Sequence, residues 1–159
     1  MPVLDKSAGL IDDPWVFVAD ADPLPQGRPA IVGLARLLAE PALLDHAWGL
    51  GVSLKSADRL EPISGMLDRL PLVALEFPIF RDGRGFTLAR TLREHFDYGG
   101  DIRAFGHLLP DQYVALLRCG VSTVALPETT QPGRWAEALA LRGTQAGPFL
   151  RRVAKHREA

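Results

Sequence analysis

The stretch Pro71–Glu94, PLVALEFPIFRDGRGFTLARTLRE, constrains the fold more than any other part of this chain. Its first seven residues form an apolar run rich in β-formers and bounded by prolines. That pattern predicts a strand covered on both faces. Glu76 breaks the run near its carboxyl end, where open parallel sheets place their ligands. Pro78 cannot continue a ladder, so the strand must stop there. A turn follows, built from Arg81, Asp82, Gly83, Arg84 and Gly85. Its glycines are expected to supply positive φ or a close backbone approach. Leu88, Ala89, Leu92 and Phe96 then repeat at helical spacing. A strand, a charged glycine turn and an amphipathic helix in that order are the unit of an α/β sheet.

The remaining segments repeat this alternation. Strands are expected at Trp15–Ala19, across PAIVG, at Leu50–Leu54, at Ile102–Gly106 and across VSTVAL. Helices are expected across LARLLAEPALLDHAWG, interrupted at Pro41, and over Arg59–Leu70, Pro110–Arg118 and Arg134–Leu141. The spacing fits a mostly parallel sheet flanked by helices. A doubly wound three-layer arrangement is the first expectation and a partial βα barrel the alternative. Residues 1–13 read as a loose arm, 14–145 as a single α/β domain, and 146–159 as a basic C-terminal tail.

Composition narrows the class. The chain has 159 residues, 47% hydrophobic and 23% charged, which suits one globular domain. A formal net charge of -1 gives no overall positive field for nucleic acid. The single cysteine, Cys119, excludes a CxxC pair and a cysteine-based cluster within one chain. The N-terminus lacks the basic and apolar segments of a signal peptide, and no apolar run is long enough to cross a membrane. A cytoplasmic protein is the default expectation.

The central turn carries the candidate chemistry. An anion at the start of the Pro71–Glu94 helix would meet free N–H groups, the positive dipole end and guanidinium forks. The anion-binding candidates are Arg81, Gly83, Arg84, Gly85, Arg90 and Arg103. Arg103 lies inside a strand, so its side chain must reach a carboxylate, a ligand or the sheet rim. Asp82 bonding nearby N–H groups is the structural alternative for the same turn. Glu76 and Asp111 are the candidate proton-transfer groups. Cys119 is expected to be a packed thiol at a helix end, with Arg118 beside it. No metal site is expected, because no ligand-spaced cluster occurs. Neither G-x-G-x-x-G nor a Walker lysine is present, so no cofactor is evident. Flavin stays open, since flavodoxin-like domains hold it with varied loops.

The same residues carry a resemblance. E-F-P, D-G-R-G, the following A-R and L-R, then DIRAFG, the pair Asp111–Gln112 and Arg118-Cys119-Gly120 resemble the bacterial family of domain of unknown function 934. The likeness covers most of residues 71–126 and, more loosely, 14–70. It implies structural roles for Asp82, Gly106, Gln112, Arg118 and Cys119. The family's genes resemble companions of sulfate and sulfite reduction genes, and members are sometimes labelled oxidoreductases. The resemblance therefore implies an accessory or small-anion-binding protein of sulfur assimilation, with a sulfite or phosphoadenylylsulfate reductase as partner. An enzyme acting on a small oxyanion-bearing substrate is the alternative. The sequence departs from the family at His107, where an aspartate is common, and at Val121–Val124, where aromatics are usual.

Overall fold

The structure, a computed structural model, describes residues 1–141. The tail expected at 146–159 lies outside the described residues. Among the described residues eight strands form a single sheet: β1 Val3–Leu4, β2 Leu10–Ile11, β3 Val16–Phe17, β4 Ala30–Gly33, β5 Leu50–Leu54, β6 Leu72–Phe77, β7 Asp101–Gly106 and β8 Thr123–Ala125. The order is β2-β1-β8-β7-β6-β5-β4-β3. Every pair from β3 to β8 is parallel, and β1 pairs antiparallel with both β2 and β8. Residues 1–13, read from sequence as a loose arm, therefore contribute two strands, with β1 hydrogen-bonded between β2 and β8.

From β3 to β8 each strand lies beside its successor, with no reversal of order. Right-handed crossovers between such neighbours send every connection to the same face. The doubly wound arrangement needs a reversal to reach the second face, so it is not the one formed. The sheet instead takes the partial βα barrel, curled around the face that the helices leave free. Side chains measure the curl. In a flat sheet, the four strand spacings between β3 and β7 would separate them by about 19 Å. The rings of Phe17 on β3 and Phe105 on β7 nevertheless lie 4.8 Å apart, centroid to centroid. Ile31, Leu72 and Ala74 pack with them, so the concave face is filled by its own side chains.

Arg103 closes the same face. Its guanidinium donates to Asp13 Oδ1 at 2.9 Å and to Thr123 Oγ1 at 3.1 Å, with Asp101 Oδ2 at 3.6 Å. Its side chain is 3% exposed. A buried guanidinium is tolerated because carboxylates compensate it. Of the three partners expected for Arg103, a carboxylate, a ligand or the sheet rim, the structure shows carboxylates, and they are the chain's own.

The helical layer covers the convex face. α1 spans Leu34–Ala39, α2 Arg84–Glu94 and α3 Tyr113–Arg118, and a fourth helix, α4, occupies 132–141 within the described residues. Pro41 ends α1 and opens a 3-10 turn, Pro41–Asp45, as its missing N–H requires. The helix expected over Arg59–Leu70 is a 3-10 segment, Glu61–Arg69. Pro62 sits in its first turn, and Ser64 donates its hydroxyl to Glu61 O at 2.8 Å, a local bond that competes with α-helical pairing. The helix expected over Pro110–Arg118 likewise opens with a 3-10 turn, Pro110–Gln112, before α3. The main core lies between this layer and the sheet, where Trp135 is fully buried against Tyr113, ring edge to face at 5.4 Å. Among the described residues no helix is long and apolar enough to cross a membrane.

Candidate functional site

The carboxyl ends of β6 and β7 and the loops that leave them form the candidate site. The two strands are paired along their length, with Phe77 opposite Gly106. Gly106 sits at φ +104°, and a Cβ there would lie 2.5 Å from Phe77 O. Only glycine fits, and the close approach lets His107 N donate to Phe77 O at 2.7 Å. The two loops therefore leave the sheet side by side.

After β6 the chain turns over Ile79–Asp82, closed by Asp82 N donating to Ile79 O at 3.1 Å. Asp82 then organises the entry to α2. Its Oδ1 accepts from Arg84 N at 3.1 Å and Arg84 Nε at 3.0 Å, and its Oδ2 accepts from Arg84 Nη2 at 2.7 Å. These bonds, the guanidinium first, hold the Asp82 carboxyl well below the usual carboxylate range, and the Ser56 hydroxyl adds to the effect. Its side chain is only 8% exposed. The amino end of α2 is thus already served by an internal anion. Gly85 acts through packing: a Cβ there would sit 2.4 Å from the ring of Phe77. Gly83 does not supply positive φ, since its φ is -80°, and nothing lies within 4 Å of a Cβ there.

The tip of the loop is apolar and open. Ile79 is 57% exposed and Phe80 49%, and Arg81 lies over the Phe80 ring, 5.4 Å from its centroid. Gln112, from the β7 side, donates Nε2 to Phe80 O at 2.7 Å and accepts from Leu109 N at 2.9 Å. The loops after β6 and β7 are therefore joined through one side-chain amide.

The sequence model of a bacterial protein family of unknown function, DUF934, matches residues 51–145, more than half of the chain. The chain belongs to the DUF934 family. Every candidate residue named from Glu76 to Cys119 falls inside the DUF934 match, whereas β1 to β4 and α1 precede it. No curated protein matches the chain, and neither does any solved structure.

Within this DUF934 chain the arginines do not share one site. Arg84 is held by Asp82 at the start of α2. Arg90 lies six residues on, about 9 Å along the axis, and its Nη2 donates to Cys119 Sγ at 3.6 Å. Arg103 is on the opposite, concave face of the sheet. Arg81 is exposed and pairs with no carboxylate among the described residues. Cys119 is a free, buried thiol. Arg118 is exposed one residue before it. Glu76 is half-buried at the sheet mouth, and its carboxylate has no hydrogen bond or ion pair among the described residues. Asp111 is exposed beside Leu109 and Arg134, at a shallow cavity of about 470 Å³. Among the described residues no group of three or more His, Cys, Asp or Glu is placed to hold a metal ion.

Arg93 is the arginine that sequence reasoning missed. It donates to Gly120 O at 2.9 Å and to Tyr98 O and Gly100 O at 2.7 Å each. It ties the end of α2 to two glycine turns. Its position in the last turn of a helix just before Tyr98-Gly99-Gly100 was the available signal, since basic side chains there serve orphan carbonyls.

Proposed function

We propose that this protein is a non-catalytic accessory factor of bacterial sulfur assimilation that docks on a reductase through the loop after β6. One observation carries the reading: Ile79 and Phe80 stand exposed on a turn held by Asp82 and Gln112, with Arg81 over the Phe80 ring. Aromatic and arginine side chains on a fixed backbone are the composition of a binding hot spot. Arg81 has no internal acidic partner among the described residues, so the complementary surface carries carboxylates around an apolar pocket for Phe80. Sulfur assimilation enters through the motif's resemblance to a family whose genes accompany sulfate and sulfite reduction. The partner is then a cytoplasmic sulfite or phosphoadenylylsulfate reductase. Carriage of a small oxyanion has less support, because Arg84, Arg90 and Arg103 each have an internal partner.

A second reading, an enzyme acting on a small oxyanion-bearing substrate, is favoured by Glu76, a half-buried carboxylate with no partner at the sheet mouth. One experiment separates the two. The protein is titrated into each purified reductase at low and high salt, beside the double variant Phe80→Ala, Arg81→Glu. Docking predicts saturable, salt-sensitive binding that the double variant weakens about tenfold or more. Undiminished binding of the variant would remove the loop from the reading, and no binding to either reductase would remove sulfur assimilation. Turnover of sulfite by the protein itself, lost in Glu76→Gln, would establish the second reading.

A further inference from the structure

β2 and β3 lie at opposite ends of the sheet, yet only residues 12–15 separate them in the chain. From Ile11 to Val16 the backbone reaches about 17 Å at full extension. Seven strand spacings in a flat sheet would hold the two edges about 33 Å apart. The linker therefore keeps the edges of the curled sheet within its own reach, and it crosses the concave side. Asp13 Oδ1 accepts from Arg103 Nη1 at 2.9 Å there, and Trp15 packs with Ile31, Leu72 and Ala74. Residues 12–15 make no backbone-to-backbone hydrogen bond among the described residues. Arg28 Nε adds an exposed bond to Pro14 O at 3.2 Å. The linker is thus held at its middle by one buried ion pair, and segments held by few backbone bonds open at low cost.

Stability alone gives little reason for a guanidinium on this face, since apolar side chains of similar volume hold such a site as well. Two of the groups around Arg103 belong to the sheet. Thr123 Oγ1 accepts from its Nε at 3.1 Å, and Asp101, itself bonded by Thr123 at 3.0 Å, lies behind at 3.6 Å. Asp13 comes from the linker, and its side chain is 18% exposed against 3% for Arg103. The pair therefore has one side toward solvent. We propose that Arg103 is a carboxylate-binding site on the concave face, that Asp13 fills it in the closed state, and that a ligand carboxylate taking Asp13's place frees residues 12–15 and opens the sheet between β2 and β3. The group displaced sets the ligand class. With Asp101 already beside the guanidinium, the site takes a singly charged carboxylate in preference to a doubly charged oxyanion.

Formate is the probe, compared with chloride at matched ionic strength in the full-length protein. In Asp13→Ala, formate should raise the melting temperature saturably and chloride should not. The double variant Asp13→Ala, Arg103→Leu should lose that response. An equal response of the two variants to formate overturns the site. Amide exchange across residues 10–17 reads the linker. Asp13→Ala should speed it, and formate should restore the melting temperature without slowing it, because the new carboxylate is not attached to the chain. A linker that exchanges no faster in Asp13→Ala overturns the closure. In wild type, concentrated formate should speed the same segment severalfold over chloride, as a free carboxylate competes with a tethered one. Wild-type exchange equal in the two salts overturns displacement and makes Asp13 a permanent partner of Arg103. That arm uses the unaltered protein, so it decides the proposal even where Asp13→Ala does not fold.

Discussion

Gly85→Ala tests how the central motif is held. A Cβ at residue 85 would lie 2.4, 2.7 and 2.9 Å from three ring atoms of Phe77. Ordinary carbon contacts begin near 3.5 Å, so the ring or the first turn of α2 must shift by about 1 Å. The ring has little room to move. Phe77 is 1% exposed, and Phe86 packs edge-on against it at 5.4 Å. Overpacking of this kind costs about 1–3 kcal/mol. Alanine's backbone advantage over glycine returns at most about 1 kcal/mol in a helix. The net expectation is a destabilisation of about 1–2 kcal/mol. In urea, with a slope near 2 kcal/mol/M for a domain of this size, the midpoint should fall by roughly 0.5–1 M. Adding Phe77→Leu should cost less in this background than in wild type, because the smaller side chain relieves the clash. Gly83→Ala, into open space at φ -80°, should change stability by well under 1 kcal/mol. A Gly85→Ala midpoint equal to or above wild type would refute the seating of α2 on Phe77.

Other consequences follow from the same geometry. Asp13→Ala leaves Arg103 buried with only Asp101, at 3.6 Å, as a carboxylate neighbour among the described residues. It should cost about 3 kcal/mol by chemical denaturation, and a loss below about 1 kcal/mol would show that the concave face opens to water. Asp82 has a folded pKa below its unfolded value near 3.9. Its contribution is therefore full above about pH 4 and fades as pH falls toward the folded value. Asp82→Asn should lower stability at pH 7 and flatten the stability curve below pH 4, and parallel wild-type and variant curves would contradict the Arg84 pairing. Sulfate, sulfite and phosphate should raise the melting temperature of wild type and of Arg84→Gln, Arg90→Gln alike at matched ionic strength, because neither arginine is free to clamp an anion. A wild-type-only shift would restore the anion site.

The elements were legible where side-chain periodicity decides them. The apolar run ending at Pro78 gave β6, and the leucine spacing after Gly85 gave α2. Arg103, a charge inside a strand, announced the need for a partner, but whether a carboxylate, a ligand or the sheet rim served it was left to the structure. Strand order was not legible, since adjacent pairing of β3 to β8 depends on the lengths and hand of several crossovers at once. The curl rests on Phe17 meeting Phe105, residues 88 positions apart in sequence by their numbers. The D-G-R-G turn read locally either as an anion cradle or as a tight turn bonded by Asp82, and its two arginine-flanked glycines do different things. Gly85 is needed for Phe77, a contact no local pattern reveals, and Gly83 is not strained. The Asp82–Arg84 pair, two residues apart, was within reach of sequence reasoning as the alternative to a bound anion. The bridging role of Gln112 was not, because it needs the β6 and β7 loops to be neighbours.

Hydrogen–deuterium exchange of the full-length protein, alone and with purified sulfite reductase, tests the docking claim most directly. The account predicts that binding slows exchange in two segments, 78–84 and 107–112, and leaves the amino-terminal ends of the strands unchanged. Protection confined to the other end of the sheet, around Asp68, Asp97 and Tyr98, would contradict it, as would a bound complex in which neither loop changes.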